Sequence, residues 1–133
     1  MKVTLIFIFL FFSFSFVFSQ TKEDYLNYAK NELQSRNYQK AIEYCTKAIS
    51  LDVLYEDAYF FRGNAYLFLE DYDNAMFDYY SVTYINPNSG KAYNNIGTVY
   101  QKKGYMKDAC ESWEKAYSLG FKESKEQIDT YCK

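Results

Sequence analysis

The stretch YNNIGTVY, residues 93–100, decides the fold, because its Tyr93, Gly97 and Tyr100 return elsewhere in the chain at one fixed distance. Thirty-four residues upstream stand Tyr59, Gly63 and Tyr66, and thirty-four further upstream stand Tyr25, Ala29 and Glu32. The same period carries Ala41, Ala75 and Ala109, then Leu51, Ile85 and Leu119, and it sets Tyr38 and Tyr72 in register with the neighbourhood of Tyr105. Several coincident registers at one period mark an internal repeat, whose copies must bury their apolar faces against one another.

Within a copy the apolar residues follow helical spacing: Ala75, Tyr79, Val82 and Ile85 are separated by four, three and three positions. Each copy therefore reads as two helices. First helices are predicted near 22–35, 56–69 and 90–103, and second helices near 38–51, 72–85 and 106–119. Short polar breaks at Arg36, Glu70 and Gly104 separate the members of each pair, and Gly104 is suited to the left-handed conformation that ends a helix. Between the second and third copies, NPNSG at 86–90 holds the only proline of the chain, where a helix has to stop.

These features resemble the tetratricopeptide repeat, a 34-residue helix-turn-helix unit with the signature W-x2-L-G-x2-Y, then A-x3-F, then P. The third copy shows it as Tyr93, Ile96, Gly97 and Tyr100 followed by Ala109 and Trp113, and the second as Tyr59, Gly63, Tyr66, Ala75, Tyr79 and Pro87. The first copy departs from it, with Glu32 in place of the later tyrosine and Val53 in place of the proline. The resemblance implies an all-α fold, a right-handed α-α superhelical solenoid, with repeats at 22–55, 56–89 and 90–123. Residues 124–133 read as a capping helix whose Ile128 faces inward while Lys125, Glu126, Gln127 and Asp129 stay in water.

The first residues, MKVTLIFIFLFFSFSFVFSQ, have one early cation at Lys2, an apolar run, and small or branched residues before Gln20. Residues 1–19 read as a secretory signal peptide cleaved between Ser19 and Gln20, and the protein as exported, periplasmic or secreted. The alternative is an uncleaved anchor, although the run from Val3 to Phe18 is shorter than the ~20 residues that span a bilayer; membrane association is expected only in that case.

With 133 residues, 49% apolar and 24% charged, the chain is of globular composition and has room for one domain. A formal charge of −2 and no basic run leave nothing to neutralise a phosphate backbone, so nucleic acid is not an expected partner. There is no histidine, which removes Ser-His and Cys-His catalysis and the commonest metal ligand. The carboxylates of Glu70, Asp71 and Asp73 cluster at a turn and read as solvated charge. No enzymatic activity, small-molecule substrate, cofactor or metal is expected.

What remains is a binding module. By the resemblance, first helices line a concave groove for a peptide or protein partner, and the lining maps onto Leu26, Lys30, Phe60, Asn64, Phe68, Lys91, Asn94 and Thr98. Phe60 and Phe68 also fit as packing between neighbouring hairpins. Some members of the family clamp a terminal carboxylate, and that set falls on Leu26, Lys30, Phe61, Lys91 and Asn95, of which only Lys91 is of the expected type. A second reading is a subunit docked permanently in a larger envelope assembly or homo-oligomer, through Leu26, Tyr28 and Leu33 of an uncapped first copy.

Of the three cysteines, Cys45 shares its register with Tyr79 and Trp113 and reads as a buried, inert thiol. Cys110 lies in the first turn of its helix, and a capping helix folding back after Gly120 brings Cys132 of its last turn alongside. A Cys110–Cys132 disulfide is expected, with two unpaired buried thiols as the alternative; in an oxidising compartment such a bridge persists.

Overall fold

The computed structural model describes residues 19–133, so the signal or anchor segment at 1–18 lies outside the described residues. Seven α-helices, with no strand among the described residues, follow one another as three hairpins and a single last helix. The hairpins are α1 (Lys22–Gln34) with α2 (Tyr38–Leu51), α3 (Glu56–Phe68) with α4 (Tyr72–Ile85), and α5 (Gly90–Lys102) with α6 (Met106–Ser118). The last helix is α7 (Ser124–Tyr131), within the 124–133 segment read as a cap.

Local chemistry sets the ends. Thr21 starts α1 with a reciprocal capping box: its side chain accepts from the Asp24 N–H, and the Asp24 carboxylate accepts from the Thr21 backbone. Asp71 caps α4 by accepting from the Asn74 N–H. All three hairpin turns share one geometry. Arg36, Glu70 and Gly104 adopt φ of 60°, 58° and 85°, and the N–H of the following residue reaches back to Glu32, Tyr66 and Tyr100 carbonyls at 2.8, 2.9 and 2.9 Å. This is the Schellman closure, which satisfies carbonyls that a helix end leaves free. Only the third copy uses glycine for it; arginine and glutamate carry the left-handed conformation in the other two, at a cost of about 1 kcal/mol each.

Packing within hairpins depends on size complementarity. A Cβ added to Gly63 would lie 2.8 Å from the Tyr79 ring, and one on Gly97 would lie 2.5 Å from Trp113 Nε1, so Tyr79 and Trp113 fill the space that glycine leaves and are fully buried. In the first hairpin the same two positions hold Ala29 and Cys45, both fully buried: a larger residue faces a smaller one. The alanines Ala41, Ala75 and Ala109 are also inaccessible.

The cap differs from its sequence reading in detail. Its one fully buried residue is Ser124, while Ile128 is half-buried. Register explains this, because Ser124 falls 34 residues after Gly90, a buried small position. Tyr131 packs on Trp113 with ring centroids 5.8 Å apart, and Cys110 and Cys132 are bonded, with Cα atoms 5.6 Å apart. A crosslink of this span restricts the unfolded chain by about 3 kcal/mol. An eight-residue helix is too short to persist alone, so packing and the bridge hold it.

Candidate functional site

Side chains of the first helices meet in the order α1, α3, α5, α7 and form one continuous face. Lys30 on α1 places its Nζ 4.8 Å above the Phe61 ring of α3. Lys91 on α5 places its Nζ 4.5 Å above Phe60 of α3 and bonds to Asp57 at 3.0 Å, with Glu56 at 3.9 Å. Two lysines therefore lie on two adjacent phenylalanines, which are packed edge to face at 5.6 Å; cation–π attraction fixes both ammonium groups over apolar surface. Among the described residues Lys30 has no carboxylate in ion-pairing range, and Lys91 has two.

Next to the lysines runs a chain of amides. Asn64 Oδ1 accepts from the Tyr79 hydroxyl at 2.8 Å and from Asn95 Nδ2 at 2.9 Å. Asn95 Oδ1 accepts from Asn94 Nδ2 at 3.4 Å, and Asn94 Oδ1 accepts from the Ser124 hydroxyl at 2.9 Å. The Asn94 carbonyl also accepts from Trp113 Nε1 at 3.1 Å and from the Thr98 hydroxyl at 3.2 Å. Polar groups of α4, α3, α5 and α7 are thus tied through three asparagines, which gives the face a fixed hydrogen-bonding pattern. Burial pushes the Tyr79 hydroxyl well above its ordinary value, so Tyr79 remains a neutral donor.

The residues expected in the groove divide. Lys30, Phe60, Asn64, Lys91, Asn94 and Thr98 lie on this face and are half-buried. Leu26 does not line it: at 4% exposure it packs with Ala48 and Ala58, because the first helix turns that position into the seam between hairpins. Phe68 is 62% exposed but stacks on Tyr38 of α2 at 5.0 Å, at the far end of α3. The uncovered first copy is also less bare than its sequence suggests: Leu26 is buried, Leu33 is half-buried, and Tyr28 leans on Tyr44 at 5.4 Å. Asn95, Phe61 and Ser124 belong to the face although they were not in the expected lining; Ser124 could be found by extending the 34-residue register into the tail.

A carboxylate clamp is not assembled here. Of its five positions Leu26 is buried and apolar, Phe61 lies beneath Lys30, and Asn95 spends its amide N–H on Asn64. Cys45 is a free, buried cysteine, and burial pushes its thiol up to about 12, so it carries no thiolate at neutral pH. At the turn Asp71 caps α4, and Asp73 pairs with Lys103. Among the described residues no group of three or more Cys, Asp or Glu is placed to hold a metal ion, and no helix is long and apolar enough to cross a membrane.

The tetratricopeptide repeat model matches residues 25–52, 56–89 and 90–119. The heat shock protein STI1 of Saccharomyces cerevisiae is 30% identical over 118 residues, covering 84% of this chain and 19% of that protein. The DnaJ homolog subfamily C member 7 homolog of Dictyostelium discoideum is 37% identical over 90 residues, 65% of this chain and 17% of its own length. The chain thus spans about a fifth of the length of these curated relatives. Among solved structures, MamA superposes with a TM-score of 0.73 at 30% identity, over 79% of this chain and 61% of MamA. The first TPR of Spaghetti (RPAP3), bound to the HSP90 peptide SRMEEVD, superposes with a TM-score of 0.80 over 86% of this chain and 92% of that one; at 20% identity it shows the fold alone.

Proposed function

Because this chain belongs to the tetratricopeptide repeat family, we propose that it is a non-enzymatic module that holds a peptide or protein segment along the face of α1, α3 and α5. The observation that carries this reading is the pair of lysines held over Phe60 and Phe61 beside the asparagine chain. Apolar side chains of a segment would lie against the phenylalanine edges, its backbone would meet Thr98 and the asparagine oxygens, and Lys30 would attract an acidic group. The ligand differs from a clamped terminal carboxylate, since two of the five clamp positions are Leu26 and Phe61, which have no side-chain donor, and Lys91 and Asn95 are engaged with Asp57 and Asn64. An exported location accords with the apolar run at 3–18 and with a disulfide, which oxidising compartments maintain.

The test is capture from the native exported fraction, with wild type and a Lys30→Glu/Thr98→Arg variant used side by side. The variant is expected to retain its helical circular dichroism and to recover at least tenfold less of the bound partner, an effect of ~1.4 kcal/mol or more. Equal recovery by the two proteins would overturn the groove reading.

A further inference from the structure

Second helices form the outer surface, and the repeat provides its own control there. At equivalent outward positions α2 presents Glu43, Thr46 and Ser50, and α6 presents Glu111, Glu114 and Ser118, all exposed. On α4 the same positions hold Phe77, Tyr80 and Tyr84, exposed by 65%, 46% and 84%. The fold is therefore satisfied by polar residues at these sites in two copies out of three; of the aromatic ones only Tyr80 has an intramolecular polar partner among the described residues, its hydroxyl lying 2.8 Å from that of Tyr100 on α5 while its ring stays nearly half exposed. Val53 and Leu54, two-thirds exposed in the turn before α3, extend the patch. Together with Tyr59 and Ile85 they open a cavity of about 370 Å³ beside Tyr84, and no lining residue is charged.

We infer that this surface is an interface with a second copy of the chain, joined α4 to α4 about a two-fold axis. The spacing is self-complementary. Phe77, Tyr80, Ser81 and Tyr84 form one helical stripe, and antiparallel apposition centred between Tyr80 and Ser81 sets Phe77 against Tyr84 of the second copy. At the axis it sets Tyr80 against Ser81 of the second copy, large against small. Because the stripe is uncharged, symmetry opposes no like charges, as it would on the glutamates of α2 or α6.

The cavity beside Tyr84 receives Phe77 of the second copy. With aromatic side chains carrying about 150–250 Å² each, the exposed parts of the three rings plus Val53 and Leu54 amount to roughly 600 Å², near the ~800 Å² per partner of a stable interface. The patch lies on the outer helices, so the dimer leaves the α1–α3–α5 face free; the inference goes beyond the groove reading and does not depend on it.

The test is sedimentation equilibrium of the chain as the cell produces it, from low to high micromolar concentration. Wild type is expected at twice the monomer mass. A Phe77→Glu/Tyr80→Glu/Tyr84→Ser variant, which gives α4 the residues of α6, is expected at the monomer mass with unchanged helicity. A Ser81→Cys variant should form a covalent dimer under mild oxidation at least tenfold faster than Glu114→Cys on the outer face of α6, and this readout does not depend on the triple variant folding. A monomeric wild type throughout, a triple variant that remains dimeric, equal crosslinking of the two cysteine variants, or a different protein occupying the α4 face of a monomer would each overturn the inference.

Discussion

The first and second hairpins share a backbone but fill the same positions with different chemistry. Tyr28 and Tyr44 of the first pack as rings 5.4 Å apart. Thirty-four residues on, Arg62 and Asp78 form an ion pair with two hydrogen bonds of 2.9 and 2.8 Å, and Asp78 is only 1% exposed. One position further along each helix, Ala29 faces Cys45 in the first hairpin and Gly63 faces Tyr79 in the second. The repeat thus preserves the closeness of a pair and leaves its members interchangeable in size and polarity. Position in the stack accounts for part of the difference. Arg62 also reaches back to Thr46 of α2 at 3.1 Å, so the second hairpin, with a neighbour on each side, uses this slot to join two hairpins; the first has no preceding hairpin among the described residues, and its two tyrosines remain partly open to solvent.

The largest test of that contrast breaks the ion pair. Arg62→Met should lower the unfolding free energy by about 3–5 kcal/mol, since it leaves the Asp78 carboxylate buried without a partner, whereas Arg62→Met/Asp78→Leu should come close to wild type. Urea titration of the three proteins checks this. The pH dependence carries a definite sign. Burial already raises the Asp78 carboxyl against the pull of Arg62, and in Arg62→Met nothing opposes it. A raised folded value means that the folded state holds its proton where the unfolded chain has released it. The variant should therefore be most stable below about pH 4, the ordinary aspartate value, and lose stability as the pH rises toward neutrality. A single variant no weaker than the double, or one that strengthens with rising pH, would show that the slot is not electrostatic.

A smaller effect separates the size-matched pairs. Gly63→Ala puts a methyl 2.8 Å from the Tyr79 ring and should cost about 1–3 kcal/mol by overpacking. Alanine is native at the equivalent position of the first hairpin because Cys45 is small, so Gly63→Ala in a Tyr79→Val background should cost less than half as much. Thermal unfolding of the four corners of that cycle measures the coupling, and strict additivity would dissolve the size argument. The smallest effect lies in the turns: Glu70→Gly should stabilise by up to about 1 kcal/mol through relief of its left-handed strain, and Gly104→Ala should destabilise by a similar amount. Melting temperatures that move in the same direction for both variants would contradict it.

Much of the architecture was legible in the chain because a 34-residue period and a helical apolar pattern are one-dimensional signals. α2 and α4 lie over the residue ranges that periodicity assigns them, and the hairpin turns fall at Arg36, Glu70 and Gly104. The candidate site was less legible. Leu26 and Lys30 stand one helical turn apart on α1, yet one is buried in a seam and the other lies over Phe61. Which side of a first helix faces the groove depends on the angle at which the next hairpin stacks, and no residue of α1 encodes that angle. The asparagine chain was hidden for a related reason: Asn64, Asn94 and Ser124 are far apart in sequence and meet only when α3, α5 and α7 are laid side by side.

By itself the sequence determined the number of hairpins, their boundaries and the positions that must be small, since each follows from local propensity or from register within a repeat, and it brought Cys110 near Cys132 through a cap that folds back after Gly120. The tertiary structure alone decided that Leu26 is core, that two lysines rest on adjacent phenylalanines, and that α4 turns an uncharged aromatic stripe outward. Those outcomes depend on the stacking of hairpins against one another, and the same apolar residue is core or open surface according to whether a neighbouring hairpin covers it.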